Sequence, residues 1–360
     1  MKKFQLICDD TRVALQRFKD NTFHCCVTSP PYWQLRDYFK DGQIGLEKTP
    51  EEYINNLVDI FKEVKRVLRK DGTLWIVIGD TYSTSKKGNT QDNVNSKSRR
   101  KKLHLQQINK KIPTNIKTKN LIGIPWKLAF ALQEDGWYLR CDVIWSKKNP
   151  VPDGAKDRPT RNHEYVFLLS KSSKYFYDYY AIMDEAKKKN GRSRKFGANI
   201  QRGNNRQNQN RRFIDFEKKN KRSVWNVSVG RSGGIHFSVF PEKLITPCIL
   251  AGTSSKGCCP KCKKPWSRIV EKEKYFTENG EEKVYLDGTN WKSNCNCLIS
   301  GTENCVVLDP FCGVSTTGVI CLKSDRDYVG IDINDEYIKA GREKLFSIDP
   351  IFTEEINKGE

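Results

Sequence analysis

The stretch that decides the fold is CVVLDPFCGVSTTGVICLKSDRDYVGIDINDEYIKAGREKL, residues 305–345. It predicts a buried strand over 305–311, a helix through TTGVICLKS, a second strand over 327–333 and a second helix through DEYIKAGREKL. Strands that alternate with helices are typical of a doubly wound, mostly parallel sheet. Where the first strand ends, an acid, a glycine-bearing turn and a helix start can bind a polar ligand through backbone N–H groups.

The acid at the end of the second strand supports a cofactor site. Asp332 follows Gly313 by 19 residues, the spacing of the acid that binds ribose hydroxyls in nucleoside-type cofactors. The run from Gly313 to Gly318 lacks the middle glycine of G-x-G-x-x-G. A helix-capping acid is the alternative interpretation of Asp309, so the cofactor hypothesis needs a second motif.

The α/β pattern continues outward through the rest of the chain. TPEE (49–52) is a capping box with proline at the first helical position, and Gly72 is expected to close the helix that follows. TLWIVIGD (73–80) predicts a buried strand. A second helix is expected from Ile124 to near Gly136, and WYLRCDVIWSK and HEYVFLLSK then predict a hairpin at one edge of the sheet.

The second motif is VTSPPYW, residues 27–33, at the end of a short buried strand. Two prolines directly after a strand freeze the turn and remove two N–H donors. Ligands of open α/β sheets bind at the carboxyl ends of the strands, where Tyr32 presents an aromatic face. Ser29 and the Pro30 carbonyl can accept hydrogen bonds from an exocyclic amine while Tyr32 stacks on a planar base. A rigid turn that packs aromatic side chains is the alternative.

The charge of the chain is concentrated in two polar segments. Of 360 residues, 64 are Lys or Arg and 43 are Asp or Glu, which gives a formal net charge of +21. Residues 84–119 carry 11 basic residues and one acid, and residues 187–222 carry 14 basic residues and two acids. The body of the protein is therefore nearly neutral. Solvated loops are the default interpretation of such runs, and arms that neutralise DNA phosphates are the functional one.

Composition excludes several classes of protein. No apolar run approaches the roughly 18 to 20 residues that span a bilayer, so no membrane association is expected. The N-terminus carries acids where a signal peptide would be apolar, which predicts a cytoplasmic protein. Thirteen cysteines in a reducing compartment favour metal binding or chemistry over disulfides.

Two close cysteine pairs predict a structural zinc site. They are C-x-x-C at Cys259 and Cys262 and, after 32 intervening residues, C-x-C at Cys295 and Cys297. Four thiolates suit tetrahedral zinc, with a hairpin-like ribbon between the pairs. A redox dithiol and unpaired cysteines are the alternatives. Cys258 could replace Cys259 as a ligand, and Cys305 is a further candidate.

TSPPYW and DPFCG together resemble the amino-methylating DNA methyltransferases that use S-adenosylmethionine. S-P-P-Y is typical of the family members that act on cytosine N4, and D-P-P-Y is more typical of adenine N6 enzymes. The catalytic motif precedes the cofactor motif, which resembles the permuted beta-class arrangement. The segment 144–171 and HFSVFPEKLITPCILAG (236–252) also resemble regions of the family.

The resemblance implies a class I methyltransferase fold and a set of site residues. The catalytic residues would be Ser29, Pro30, Pro31 and Tyr32. The residues that bind S-adenosylmethionine would be Asp10, Asp309, Pro310, Phe311, Gly313, Ser315, Thr316, Thr317 and Asp332. Ser315 stands where the family usually has a glycine.

The implied function is methylation of the exocyclic N4 of a flipped cytosine in double-stranded DNA. No covalent intermediate is needed, because the amine itself attacks the sulfonium methyl group. An adenine-N6 methyltransferase is the nearest alternative. A non-catalytic zinc-ribbon nucleic-acid-binding protein would have no use for the S-P-P-Y turn, and a nicotinamide-dependent enzyme would need a second dinucleotide-binding half.

A restriction–modification system or a phage is the expected context, with a separately encoded restriction endonuclease as a candidate partner. A second copy of the chain is a further candidate partner. The predicted segments are a catalytic half (1–83), a basic loop insert (84–119), a core continuation (120–183), a target-recognition insert (184–232), a cofactor-edge motif (233–254), a zinc-ribbon insertion (255–304), a cofactor-binding half (305–346) and a tail (347–360).

Overall fold

The computed structural model describes residues 3–83, 116–150, 152–186, 215–216, 218–230, 240–276, 278, 282–298, 300–348 and 353–354. Most of the two basic segments lies outside these residues. Among the helices of the described part, none is long and apolar enough to cross a bilayer.

Strands and helices alternate over residues 3–147 and again over residues 306–346. The strands are β1 (Lys3–Cys8), β2 (Phe23–Thr28), β3 (Leu68–Ile78), β4 (Tyr138–Lys147), β5 (His163–Ser170), β6 (Asp184–Glu185), β7 (Asp215–Phe216), β8 (Lys218–Lys219), β9 (Val224–Val227), β10 (Ser267–Arg268), β11 (Glu271–Phe276), β12 (Glu282–Asp287), β13 (Trp291–Lys292), β14 (Val306–Asp309), β15 (Asp327–Asp332) and β16 (Thr353–Glu354). The helices are α1 (Thr11–Gln16), α2 (Pro50–Val67), α3 (Ile124–Glu134), α4 (Glu242–Gly252), α5 (Thr316–Lys323) and α6 (Asp335–Phe346).

Nine of these strands form the central sheet, in the order β16-β1-β15-β14-β2-β3-β5-β4-β9. The pairs from β16 to β3 are parallel, and β5 pairs antiparallel with both β3 and β4. The predicted mostly parallel sheet is confirmed, and so is the alternation β14-α5-β15-α6 within 305–345. Strand β9 adds a parallel pair outside β4, so the predicted hairpin is not the outermost element.

Helices cover both faces of the sheet, because its central strands are apolar on both sides. Along β3, Leu74 and Ile76 pack toward α2 and α3, whereas Trp75 and Val77 pack toward α4 and α5. Both faces of a parallel strand are normally buried in this way. Cys26 on β2 is likewise fully buried, as expected of a small core residue.

One detail of the sequence prediction is wrong. Helix α2 ends at Val67 and β3 begins at the next residue, so Gly72 does not close the helix. A Cβ atom at Gly72 would lie 3.1 Å from the His24 carbonyl oxygen, and the glycine is therefore needed for close approach of two strands. Strand β9, which belongs to the central sheet, lies within the segment 184–232 that is predicted as the target-recognition insert.

The segment between the two cysteine pairs forms the expected hairpin. Strands β11 and β12 pair antiparallel over six residue pairs, and β12 also pairs with β7 at the end of the second basic segment. Strands β10 and β13 form a smaller antiparallel pair at the base of the hairpin.

Candidate active site and cysteine cluster

The carboxyl ends of β2, β3, β14 and β15 surround a cavity of about 440 Å³. All four predicted catalytic residues line it: Ser29, Pro30, Pro31 and Tyr32. Five of the predicted cofactor residues also line it: Asp10, Phe311, Gly313, Thr316 and Asp332. The structure therefore brings the two motifs, which are about 280 residues apart in the chain, to one site.

The Pro-Pro turn is held in place by hydrogen bonds and close packing. The Tyr53 hydroxyl, on α2, donates to the Pro31 carbonyl at 2.7 Å. Gly45, with φ +104°, packs against the Tyr32 carbonyl, and a Cβ atom there would lie 3.2 Å from that oxygen. The indole of Trp33 donates to the Glu47 carbonyl at 2.9 Å. These contacts come from residues that follow the turn, so the fold itself holds the turn in place.

Tyr32 also contacts a residue that the sequence did not single out. Its hydroxyl donates to Glu164 Oε2 at 2.9 Å, and Lys147 Nζ pairs with the other oxygen of the same carboxylate. Burial raises the pKa of Tyr32 well above its usual value and the charge of Glu164 raises it further, whereas a hydrogen bond with Ser29 opposes them. Tyr32 is therefore a neutral hydrogen-bond donor. The sequence does contain a signal for Glu164, because a charged residue stands near the start of the otherwise apolar strand HEYVFLLS.

Asp80 lines the same cavity, but its carboxylate forms hydrogen bonds with backbone groups of the fold. It accepts hydrogen bonds from the backbone N–H groups of Thr81, Gly123 and Ile124 at 2.9 to 3.0 Å. Arg161 lies 3.7 Å away. Because Gly123 carries no side chain, Asp80 caps α3 from the end of a different element.

The glycine turn and the acid of the next strand meet as predicted. The Gly313 N–H donates to Asp332 Oδ2 at 2.8 Å, and the Asn334 N–H donates to Oδ1 at 2.9 Å. Burial raises the pKa of Asp332 to about 6, against the lowering effect of these two bonds. The carboxylate is oriented toward the cavity with lone pairs left to accept from a ligand.

Asp309 is placed behind the cavity surface. It is fully buried and accepts from the Thr28 hydroxyl at 2.7 Å and from the Thr317 hydroxyl at 2.6 Å. Burial raises its pKa to about 6, although both hydroxyl bonds act in the opposite direction. The carboxylate thus ties β14 to β2 and to the first turn of α5, a role closer to the capping alternative than to direct ligand contact.

Three other predicted cofactor residues, like Asp309, are not among the described residues that line the cavity. Pro310 accepts a hydrogen bond from Thr11 at 2.6 Å through its carbonyl and, like Ser315 and Thr317, is not part of the cavity lining among the described residues. Ser315 has φ +58°, a conformation that favours glycine, and it is fully buried. Gly341 makes room for it, since a Cβ atom there would lie 2.6 Å from Ser315 Oγ.

Asp10 lies at the cavity and is the N-cap of α1. Its Oδ1 accepts from the Arg12 N–H at 2.8 Å, and its carboxylate pairs with the Arg12 guanidinium. That hydrogen-bonded guanidinium lowers the pKa of Asp10, so the carboxylate is charged at neutral pH.

The four predicted metal ligands come together away from the cavity. The Sγ atoms of Cys259, Cys262, Cys295 and Cys297 lie within 4.8 Å of one another. Tetrahedral zinc with bonds of about 2.3 Å would place its sulfur atoms about 3.8 Å apart. The Lys263 N–H donates to the Cys259 carbonyl at 2.9 Å, and Lys263 has φ +58°, so the C-x-x-C turn is already folded tightly.

Cys258 and Cys305 belong to a different cluster. Their sulfur atoms lie within 4.8 Å of a His24 ring nitrogen, and all three residues are buried. The Val306 N–H donates to His24 Nδ1 at 3.0 Å, and His24 Nε2 lies 2.8 Å from the Lys263 carbonyl. His24 therefore binds the C-x-x-C turn to the sheet, and neither cysteine joins the set of four thiols.

The sheet and the cavity define a doubly wound α/β protein whose ligand site lies where the strand order reverses, between β14 and β2. A family model described as DNA methylase (N6_N4_Mtase) matches residues 23–259 and 297–343. The chain therefore belongs to the N6/N4 DNA methylase family and is a DNA methyltransferase. The predicted membership of the amino-DNA methyltransferases is confirmed.

Relatives of nearly the same length support this membership. The chain is 37% identical over 345 residues to the type II methyltransferase M.SmaI of Serratia marcescens, covering 96% of this chain and 91% of the relative. It is 39% identical over 336 residues to M.Cfr9I of Citrobacter freundii, covering 93% and 85%.

Solved structures show the same fold at low sequence identity. PvuII DNA methyltransferase (cytosine-N4-specific) superposes with a TM-score of 0.56 at 14% identity, over 97% of this chain and 91% of that chain. A DNA modification methylase of Thermus thermophilus, complexed with S-adenosyl-L-methionine, gives a TM-score of 0.53 at 17% identity, over 99% of both chains. The family model leaves out residues 260–296, which contain the hairpin between the cysteine pairs.

Proposed function

We propose that the protein transfers a methyl group from S-adenosylmethionine to the exocyclic N4 of a flipped cytosine in duplex DNA. One observation carries the proposal: the Ser29–Tyr32 turn and the Gly313–Asp332 pair line the same cavity. The names of the relatives, type II methyltransferases, support a restriction–modification context. A separately encoded endonuclease is the partner that we propose for it.

The cavity wall fits an adenosyl cofactor. The Asp332 carboxylate, held by two backbone N–H groups, can accept from ribose hydroxyls, and Phe311 and Tyr337 offer apolar faces at the same end of the cavity. Asp10 can accept from the amine of an adenine ring. When bound, the cofactor supplies a methyl group on a positively charged sulfur. The solved structure named as a complex with S-adenosyl-L-methionine supports this choice of cofactor.

The residues of the Pro-Pro turn would prepare the amine for attack. An exocyclic amine is a poor nucleophile because its lone pair is delocalised into the ring. Hydrogen bonds from the amine to Ser29 Oγ and to the Pro30 carbonyl favour a pyramidal nitrogen with a localised lone pair. Fixed positioning of the two reacting groups supplies much of the rate. The hydrogen bond by which Tyr53 holds the turn in place supports this role.

Cytosine N4 is preferred over adenine N6 because the turn reads S-P-P-Y. The name of the structural neighbour, cytosine-N4-specific, agrees with this preference. The catalytic turn precedes the cofactor turn in the chain, and the sheet nevertheless places them side by side, which supports the permuted beta-class order. Adenine N6 is the second candidate.

DNA would lie along the carboxyl edge of the sheet, with the target base flipped into the cavity at a cost of a few kcal/mol. We infer that the basic segments 84–119 and 187–222 neutralise phosphates on either side. If half of their 25 basic side chains did so, affinity would fall by several powers of ten between about 50 and 200 mM salt.

We infer that the four-cysteine cluster holds one structural zinc ion. The donor set fits this ion, because four thiols converge within tetrahedral range at the base of the hairpin. The hairpin is polar, and its strand β11 is mostly exposed, so it has little core of its own to hold it together.

The test is incubation of the purified protein with labelled S-adenosylmethionine and unmethylated bacterial genomic DNA, followed by nucleoside mass spectrometry. N4-methylcytosine is the expected product, and sequencing of the modified DNA would map the recognition site. N6-methyladenine would refute the choice of base. Absence of transfer to any DNA, with the cofactor bound, would refute the proposed reaction.

A further inference from the structure

Two charged residues of the cavity wall have no role in either motif. Lys147, at the end of β4, and Glu164, near the start of β5, form an ion pair opposite the Pro-Pro turn. Their side chains are 21% and 16% exposed. A paired lysine and glutamate this enclosed are costly to bury, which calls for a function beyond solvation.

The sheet places this pair against Tyr32 by register. Glu164 stands opposite Trp145 in the β4–β5 ladder, two residues before Lys147. Gly79, directly after β3, leaves the space, because a Cβ atom there would lie 2.7 Å from Tyr32 Cε2 and 3.2 Å from Glu164 Cδ. The three side chains therefore share one wall of the cavity, at the end that holds the catalytic turn.

The ammonium group of Lys147 has N–H donors that remain available to a ligand. Glu164 accepts from Tyr32 through Oε2 and from Lys147 through Oε1. An ammonium group has three N–H donors. Within the described residues, Glu164 is its one hydrogen-bond acceptor, and its nitrogen also lies 4.7 Å from the centroid of the Trp145 ring.

The other cation of the described cavity wall lies at the cofactor end. Burial raises the pKa of Tyr38 and of Tyr337, and the charge of Asp332 adds to this effect while the charge of Arg36 opposes it. Arg36 is therefore close to the ribose-binding acid. Lys147 is therefore the cation on the side of the catalytic turn.

Cytosine has a hydrogen-bond acceptor that a donor at this place could bind. Its N4 amine donates and would be held by Ser29 and the Pro30 carbonyl, whereas its O2 is a carbonyl acceptor. Adenine has a C–H group at the corresponding ring position. A site built to hydrogen-bond one group rejects an analogue that lacks it, because the buried polar partner is then left unpaired.

We propose that Lys147 donates a hydrogen bond to O2 of the target cytosine and thereby selects cytosine over adenine, and that Glu164 positions both Lys147 and Tyr32. The proposal deepens the proposed function and rests on it. Lys147 is the specificity residue, in contact with the base, and Glu164 acts through its two partners.

The test uses a duplex that carries the mapped recognition site with either cytosine or 2-thiocytosine at the target position, since sulfur is a weaker acceptor than oxygen. The wild-type protein should prefer cytosine by about tenfold or more in kcat/KM, the effect of weakening one charged hydrogen bond. Lys147→Met should lower kcat/KM on cytosine by about 10- to 100-fold, the effect of losing that bond, and should erase the preference. Lys147→Arg, which keeps a donor, should retain part of it.

Glu164→Gln should also weaken the preference, because it keeps an acceptor for Tyr32 but releases the lysine. The matched control is Lys323→Met, which breaks an exposed lysine–glutamate pair with Glu242 outside the cavity. It should leave both kcat/KM values unchanged. Melting temperature and S-adenosylmethionine affinity separate a folding defect from a loss of base recognition.

The outcomes distinguish the two levels of the proposal. Equal kcat/KM on the two bases by the wild-type protein overturns the role of Lys147, whatever the variants do. So does a Lys147→Met protein that keeps the preference. N6-methyladenine from the wild-type protein overturns the proposed function itself, and that result is obtained before any variant is made.

Discussion

Strand β2 carries a different kind of chemistry at each of its ends. At its carboxyl end, the chain passes from Thr28 into the Pro-Pro turn and faces the cavity. At its amino end, His24 binds the C-x-x-C turn and the start of β14. Arg69, next to the start of β3, also binds this turn, donating to the Cys262 carbonyl at 3.0 Å.

The two edges differ in how completely their polar groups are used. Both ring nitrogens of His24 have protein partners, so at the amino edge this histidine fixes the C-x-x-C turn to the sheet. The carboxyl edge instead keeps Asp332 half-buried with a raised pKa, and Lys147 has N–H donors left over. Charged groups that are costly to bury thus lie at the cavity, whereas a histidine with both nitrogens bonded joins two parts of the fold.

The largest expected effect follows removal of the proposed zinc ion from the amino edge. Cys262→Ser, or chelation, should remove one zinc ion per chain and about 10 kcal/mol of local folding free energy, so that the hairpin β11–β12 becomes sensitive to protease. Elemental analysis and limited proteolysis measure both. S-adenosylmethionine affinity should change little, because the cavity lies at the opposite edge.

The control for this variant is Cys8→Ser, since Cys8 is exposed like Cys262 but belongs to neither cysteine cluster. A chain that binds no metal when purified from zinc-supplemented cells, or a disulfide found within the cluster, would contradict the zinc interpretation. Loss of cofactor binding together with the metal would erase the contrast between the edges.

The second effect concerns catalysis at the carboxyl edge. Ser29→Ala should lower kcat by about 100-fold or more, the usual effect of removing one hydrogen-bonding group that acts on the reacting atoms. DNA affinity and melting temperature should stay close to wild type. Ser347→Ala, at the end of α6, is the control and should be silent. A loss of DNA affinity as large as the loss of kcat would indicate a merely structural turn.

The third effect is a pH dependence of stability caused by Asp309. Its pKa is raised to about 6, so its contribution to stability is fully present below about pH 4 and is lost as pH rises through about 6. Asp309→Asn should therefore stabilise the cofactor-free protein at about pH 7.5, by up to about 3 kcal/mol, with no gain at about pH 4. Denaturant unfolding at both pH values measures the difference.

Asp335→Asn is the control of opposite sign. A hydrogen bond from Lys40 lowers the pKa of Asp335, so this exposed carboxylate contributes stability above about pH 4 that is lost in acid. Its replacement should slightly destabilise the protein at neutral pH. If the two variants shift stability in the same direction, burial is not the cause of the effect at Asp309.

The smallest effect is expected at Ser315. Ser315→Gly should stabilise the protein by about 0.5 to 1 kcal/mol, because relief of the left-handed backbone exceeds the entropy that glycine adds to the unfolded chain. Ser324→Gly, at φ −118°, lacks that relief and should destabilise. Thermal unfolding compares the two, and a loss of stability in both variants would mean that the buried Ser315 hydroxyl matters more than its backbone.

Local patterns were sufficient to predict most elements and both motifs. The strand–turn–helix of residues 305–324 and the buried strand before Ser29 depend on neighbours in the chain, and so does the hairpin between the cysteine pairs. The cysteine spacing also singled out the four thiols that converge, because a C-x-x-C turn and a C-x-C turn each bring two thiols together locally.

The sequence by itself determined the family, the two motifs and the location of the charge, because each of these depends on short stretches of consecutive residues. Only the tertiary structure decided which distant residues complete them. Glu164 is 132 residues from Tyr32, and His24 is 239 residues from Lys263, yet each pair is joined by a hydrogen bond. Such contacts follow from the order of strands in the sheet, which depends on how the apolar faces pack and is not contained in any local stretch of the chain.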